Sequence, residues 1–119
     1  MLEWYLNMVA AILRQVVGRE NQAQERIALA SALRSQIARA LGEHRWRFAD
    51  HFCDKLLAEE PHDLEAWLLK GHLAWRQFRD NQAALNCFRR VLILGGFESS
   101  NEYVARARSS LAQLLEQLS

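Results

Sequence analysis

The sequence has few residues that interrupt helices. It contains one proline and five glycines in 119 residues. Much of the remainder is Ala, Leu, Arg, Gln and Glu, which favour the α-helix. Because 50% of the residues are hydrophobic, a chain of this length can bury one core. The composition therefore predicts a single all-α domain over residues 1–119.

The sequence also has few cysteines. It lacks long apolar runs and the features of a secretory signal. Two cysteines are too few for a disulfide scaffold. The uncharged stretch over residues 4–13 is far shorter than the roughly 20 residues that span a bilayer. The first residues lack the basic segment of a secretory signal. We therefore expect a cytoplasmic protein that contacts a membrane at most peripherally.

The sequence has almost no excess charge. A formal net charge of +1 gives no general reason to expect nucleic acid as a partner. His51 and Cys53 cannot point the same way on a helix, and no second pair of ligands accompanies them, so we expect no metal. There is neither a nucleophile elbow nor a glycine-rich phosphate loop. We therefore predict no catalytic residues, no cofactor and no enzymatic activity.

Apolar residues recur at helical spacing in six segments, joined by links of about two to five residues. Links this short make consecutive helices antiparallel neighbours. Asp63 and a Ser99-x-x-Glu102 capping box are predicted helix starts. The predicted helices cover residues 2–17 with a stop at Gly18, 20–41 with a stop at Gly42, 46–58, 64–78 and 99–118. The remaining helix, before 99–118, is capped by Asp80 or Asn81 and closed by Gly95-Gly96.

Two of these segments repeat one another. Residues 46–58 align with the following segment at a shift of 35 residues, with one extra residue near Phe78. The aligned pairs are Ala49 with Ala84, Cys53 with Phe88, Leu56 with Val91 and Leu57 with Leu92. A recurrence of this length is typical of helical repeat proteins.

The repeat resembles the tetratricopeptide repeat (TPR) family. Trp67 and Gly71 stand at the family's Trp and Gly positions, and Ala84 and Phe88 stand at its second-helix positions. The resemblance implies antiparallel helix-turn-helix repeats with helical caps at both ends. The implied parts are an N-terminal amphipathic helix at 1–18, a degenerate repeat at 29–61, a well-formed repeat at 63–96 and a C-terminal capping helix at 99–118.

The resemblance also implies where a partner would bind. In this family the first helices of the pairs line a concave groove that holds a peptide or a helix of another protein. Arg34, His72 and Arg76 beside it favour a partner with some acidic character. Trp75 has an alternative place, packed under the C-terminal helix. The groove candidates are Arg34, Ala38, Leu41, Glu65, Leu68, His72, Trp75, Arg76 and Arg108.

A second candidate surface lies on the first helix. Its apolar residues could cap the repeats, pair with another copy of the chain, or lie on a membrane. Its members are Trp4, Tyr5, Leu6, Val9, Ile12 and Leu13. The predicted function is a non-enzymatic adaptor or assembly factor that binds another protein. The alternatives are a small secretion-type or assembly chaperone for an aggregation-prone client, and a self-associating structural subunit.

Overall fold

The protein is all-α over residues 2–119, the part of the chain that the computed structural model describes. This part contains five helices and no strand. Its contacts form two units, Met1–Ala32 and Leu33–Ser119. None of its helices is both long enough and apolar enough to cross a bilayer. The helices are α1 (Leu2–Gly42), α2 (Trp46–Glu59), α3 (Leu64–His72, continuing as a π-helical segment Leu73–Gln77), α4 (Asn81–Gly95) and α5 (Glu102–Leu118).

The first helix corrects the predicted count of six. Residues 2–17 and 20–41 belong to one continuous helix, so the predicted stop at Gly18 and the separate N-terminal helix at 1–18 are wrong. A glycine inside a helix costs only about 1 kcal/mol relative to alanine, and no proline follows it. A side chain at Gly18 would meet nothing within 4 Å, so no tertiary contact ends the helix there either.

The predicted end of α1 at Gly42 is confirmed. The chain leaves the helix through His44, which has a φ of 57°. The Arg45 N–H donates to the Ala40 carbonyl at 2.8 Å, which satisfies an acceptor in the last turn. This pattern is that of a Schellman cap, with histidine at the left-handed position that glycine usually takes.

Side-chain caps begin α3, α4 and α5. Asp63 accepts from the Ala66 N–H at 2.9 Å and starts α3 as predicted. Asp80 accepts from the Ala83 N–H at 3.1 Å and starts α4. The predicted capping box at Ser99 is wrong, because Asn101 caps α5 by accepting from the Tyr103 N–H at 2.8 Å. Asparagine at this position reaches the unpaired N–H groups of the first turn directly.

The hydrogen-bond pattern of α3 changes before the helix ends. Over Leu73–Gln77 it becomes π-helical, and the Phe78 N–H donates to the Leu73 carbonyl at 3.0 Å. A π-helical turn holds one residue more than the α-helical hydrogen-bond pattern. It lies just before Phe78, where the alignment of the two repeated segments requires one extra residue.

The core of the Leu33–Ser119 unit forms where α3, α4 and α5 meet. Phe88, Val91, Val104 and Leu114 are fully buried there. Gly71 on α3 faces the Phe88 ring so closely that a Cβ at Gly71 would lie 2.5 Å from its Cε1 atom. Because the ring is enclosed, it cannot move aside to admit a methyl group.

Replacing Gly71 with alanine should therefore destabilise the Leu33–Ser119 unit. Overpacking of this kind costs about 1–3 kcal/mol of unfolding free energy. The control is Gly42→Ala, at which a Cβ would meet nothing within 4 Å. Denaturant unfolding followed by circular dichroism measures both variants. Equal stability of the two variants would contradict the close approach at Gly71.

Candidate functional site

An apolar cleft lies between the C-terminal part of α1 and α3, inside the Leu33–Ser119 unit. Its volume is about 150 Å³. Ile37, Leu56 and Ala66 on its floor are buried, whereas Ala38 and Glu65 on its rim are exposed. The complete lining is Arg34, Ile37, Ala38, Leu41, Leu56, Asp63, Glu65, Ala66 and Leu69. We call this feature the α1–α3 cleft.

Helical spacing brings the lining residues together. On α1, positions 34, 37, 38 and 41 lie on one face, since residues three and four apart are neighbours on a helix. On α3, positions 65, 66 and 69 follow the same rule. The Asp63 cap and the Pro61 turn begin α3 directly after the α2 helix that supplies Leu56. The cleft therefore depends on the α2–α3 turn as well as on the two helices.

Ion pairs fix one end of the cleft. The Arg34 guanidinium binds the Glu60 carboxylate and also Asp63 Oδ2, the latter at 2.8 Å. The hydrogen bond with Asp63 raises the pKa of Arg34 further. Burial alone would raise the pKa of Asp63, but the Arg34 and Ala66 hydrogen bonds lower it. Arg34 is thus held by this chain's own carboxylates.

Four of the predicted groove residues line this cleft: Arg34, Ala38, Leu41 and Glu65. The other five lining residues were not among the predicted groove residues: Ile37, Leu56, Asp63, Ala66 and Leu69. Their signal was present, because Ile37 lies three residues after Arg34 and Leu69 lies four after Glu65. The structure thus brings four of the nine predicted groove residues together in one cleft, and a partner-binding groove stays a prediction.

Leu68 and Trp75 do not lie on an exposed groove surface, which corrects their assignment. Each is only 5% exposed and belongs to the core between α3, α4 and α5. The Trp75 indole N–H donates to Gln117 Oε1 at 3.1 Å, so Trp75 packs under the C-terminal helix, the alternative place foreseen for it. The core needs large apolar groups on the α3 face that meets α5, and these two residues lie on that face.

Arg76 and Arg108 are exposed, and each contacts other groups of this chain. The Arg76 guanidinium stacks on the Trp75 ring, with its Cζ atom 3.8 Å from the ring centroid. Arg108 donates to the Phe97 carbonyl at 2.7 Å and to the Ser99 carbonyl at 3.0 Å. Arg108 therefore holds the loop between α4 and α5 and does not line the α1–α3 cleft, which corrects its assignment to the groove.

His72 is the last residue of the α-helical part of α3 and is half-buried where α3 contacts α5. Its Nε2 atom lies 3.5 Å from Ser110 Oγ, and its ring meets the Phe88 ring edge-on at 5.2 Å. Burial lowers the pKa of His72, and the positive charges of Arg76 and Arg106 lower it further. A neutral imidazole is therefore favoured at this helix contact.

The cysteines have the surroundings of inert core thiols. Burial raises the pKa of Cys53 to about 12 and that of Cys87 to about 11, so both are protonated and weakly nucleophilic. Nearby, the Lys70 ammonium donates to Asp50 Oδ1 at 2.8 Å and also pairs with Asp54. Over residues 2–119, no three His, Cys, Asp or Glu side chains converge as metal ligands do.

The second predicted surface lies in the Met1–Ala32 unit. Trp4, Tyr5, Leu6, Ile12 and Leu13 are exposed there, and Val9 is half-buried. The exposed fractions of Trp4 and Leu13 are 70% and 57%. These side chains form an uncovered apolar face on the helix.

No family model, curated protein or solved structure matches this chain. The relation to TPR proteins therefore stays a resemblance carried by the residue pattern.

Acidification should weaken the contact at His72. Because the folded state lowers the pKa of His72 below its ordinary 6.5, protons bind the unfolded chain more tightly. The free energy of unfolding should fall as the pH drops from about 6.5 toward about 5. The stability that the Asp63 carboxylate contributes is lost only at lower pH, below about pH 4, because the folded state lowers the pKa of Asp63.

The test compares His72→Gln with His51→Gln, a change at an exposed histidine on α2. Denaturant unfolding at several pH values should give a flatter profile for His72→Gln between about pH 7 and about pH 5, while His51→Gln keeps the wild-type profile. An unchanged profile in His72→Gln would show that another group causes the pH dependence.

Proposed function

We propose that this protein is a non-enzymatic interaction module, a TPR-like adaptor or assembly factor that holds an apolar segment of a partner protein in the α1–α3 cleft. The observation that supports this proposal is an apolar floor beside a rim fixed by ion pairs. Repeat units at 29–61 and 63–96, with 99–118 as a cap, are part of the proposal. So is a cytoplasmic location, since Cys53 and Cys87 are unpaired thiols.

The size of the cleft favours a side-chain anchor over a small-molecule ligand. Its volume of about 150 Å³ lies below the roughly 300 Å³ at which small-molecule pockets begin. A volume of this size accommodates about one large apolar side chain of a peptide or helix. Such anchors in desolvated pockets supply much of the affinity at protein interfaces.

The charges around the cleft favour a basic partner segment, which changes the acidic character expected from the sequence. Arg34 contributes one positive charge, whereas Glu60, Asp63 and Glu65 contribute three negative charges. The rim therefore has a net charge of −2. We propose that the bound segment carries an apolar anchor flanked by Lys or Arg.

Filling the cleft tests this function. Ala38→Trp places a large ring at the exposed rim, whereas Ala112→Trp adds the same ring at an exposed position of α5 that does not line the cleft. Peptides selected from a displayed random library against the wild type should carry an apolar residue next to basic ones. Ala38→Trp should bind them at least about tenfold more weakly, which corresponds to 1.4 kcal/mol.

Ala112→Trp should bind the selected peptides like the wild type, and Glu65→Lys should weaken the basic ones. Circular dichroism checks that each variant keeps its helix content. Selected peptides that bind Ala38→Trp and wild type equally would rule out the cleft as the binding site. Failure to select any peptide from a library that contains such segments would count against the proposed function.

A further inference from the structure

The Met1–Ala32 unit presents a long uncovered apolar face. Nine large apolar residues between positions 2 and 17 are exposed, with Leu2 74% exposed at the start. A continuous apolar patch of this kind marks an interaction surface. Its members are Leu2, Trp4, Tyr5, Leu6, Met8, Ile12, Leu13, Val16 and Val17.

The spacing of the apolar residues along this face indicates that an α-helix covers it. Leu2, Leu6, Val9, Leu13 and Val16 are separated by alternating steps of four and three residues. This heptad spacing is the seam by which one α-helix packs on another. The seam is about 21 Å long at 1.5 Å per residue, and it ends where Glu20 takes the next seam position.

Charge argues against a membrane as the covering surface. Between residues 2 and 18 the only charged side chains are Glu3 and Arg14. Helices that lie on anionic membranes carry several Lys or Arg residues beside their apolar face. The polar side of this helix is nearly neutral, so it lacks that attraction.

The same charges complement each other when the helix pairs with itself in the antiparallel sense. Glu3 lies at the start of the seam, whereas Arg14, Arg19 and Glu20 lie near its end and together carry a net charge of +1. An antiparallel pair sets Glu3 of each copy beside this positive end of the other and sets Glu20 opposite Leu2. A parallel pair would instead place Glu20 against Glu20 in the seam.

We propose that the protein self-associates through this face, as an antiparallel pair of helices from two copies. The two-fold axis is level with residue 11, whose side chain points away from the seam. Leu6 of one copy then meets Val16 of the other, and Val9 meets Leu13. A seam of two heptads buries on the order of 1,000 Å² in total, near the lower limit for a specific interface. The dimer should therefore form at micromolar concentrations of the chain.

Sedimentation equilibrium of the full chain over about 1–200 µM measures the self-association, a range set by the micromolar strength expected for a small interface. The mass should rise from one chain to two across this range. The double variant Leu6→Asp, Leu13→Asp should raise the dissociation constant at least about 100-fold, because it puts charges into the seam. The matched control Asn7→Asp, Ala11→Asp adds the same charge on the opposite side of the helix and should still dimerise.

Spin labels report the orientation. A spin label on the variant Glu3→Cys lies eight residues from the proposed axis, so the labels of the two copies should be separated by about 24 Å or more along the pair. A parallel pair would bring them within roughly 15 Å, since facing helix axes lie only 8–10 Å apart. The unmodified chain gives the background from Cys53 and Cys87, which are both buried.

A chain that stays monomeric over the whole range overturns the proposal, and so does an oligomer that survives the seam charges. A short label distance overturns the antiparallel arrangement. Binding of a monomer to phosphatidylcholine–phosphatidylglycerol vesicles, without a dimer in solution, would assign the face to a membrane. The proposal is independent of the α1–α3 cleft, so Ala38→Trp should leave the dimer intact.

Discussion

The Leu33–Ser119 unit depends on the close contact between Gly71 on α3 and the Phe88 ring on α4. Only a residue without a side chain lets the ring lie against the α3 backbone. The contact brings α3 and α4 together around Phe88, and α5 closes the same core with Val104 and Leu114. Once α3 is held in this way, one side of it faces the core and the other remains available to line the α1–α3 cleft.

Charged residues fix the side of α3 that faces α2 and the end of α1. Arg34 joins α1 to the α2–α3 turn through two carboxylates, and the ammonium of Lys70 lies between Asp50 and Asp54 of α2. Burial alone would lower the pKa of Lys70, but these hydrogen bonds raise it. Arg34 and Lys70 are therefore both paired with carboxylates where α3 packs near α2 and the end of α1.

Local signals predicted the helical segments and several of their ends. Asp63 acts through a nearby backbone N–H, so its role could be derived from a short stretch of sequence. Gly42 marked the end of α1, although the left-handed residue that ends the helix is His44. Gly18 failed as a stop because a glycine without a cap or a proline does not end a helix among strong helix formers. Helical spacing identified Arg34, Ala38 and Leu41 as neighbours on one face of α1, but it could not identify which face of α3 the core takes.

The sequence by itself determined that this chain is helical and that residues 2–17 carry one apolar face. These properties follow from propensity and periodicity, which act over a few residues. Only the tertiary structure decided that Leu68 and Trp75 are buried, and that Arg34 is paired with Glu60 and Asp63. Burial and ion pairing depend on residues that are distant in sequence, so local patterns cannot determine them.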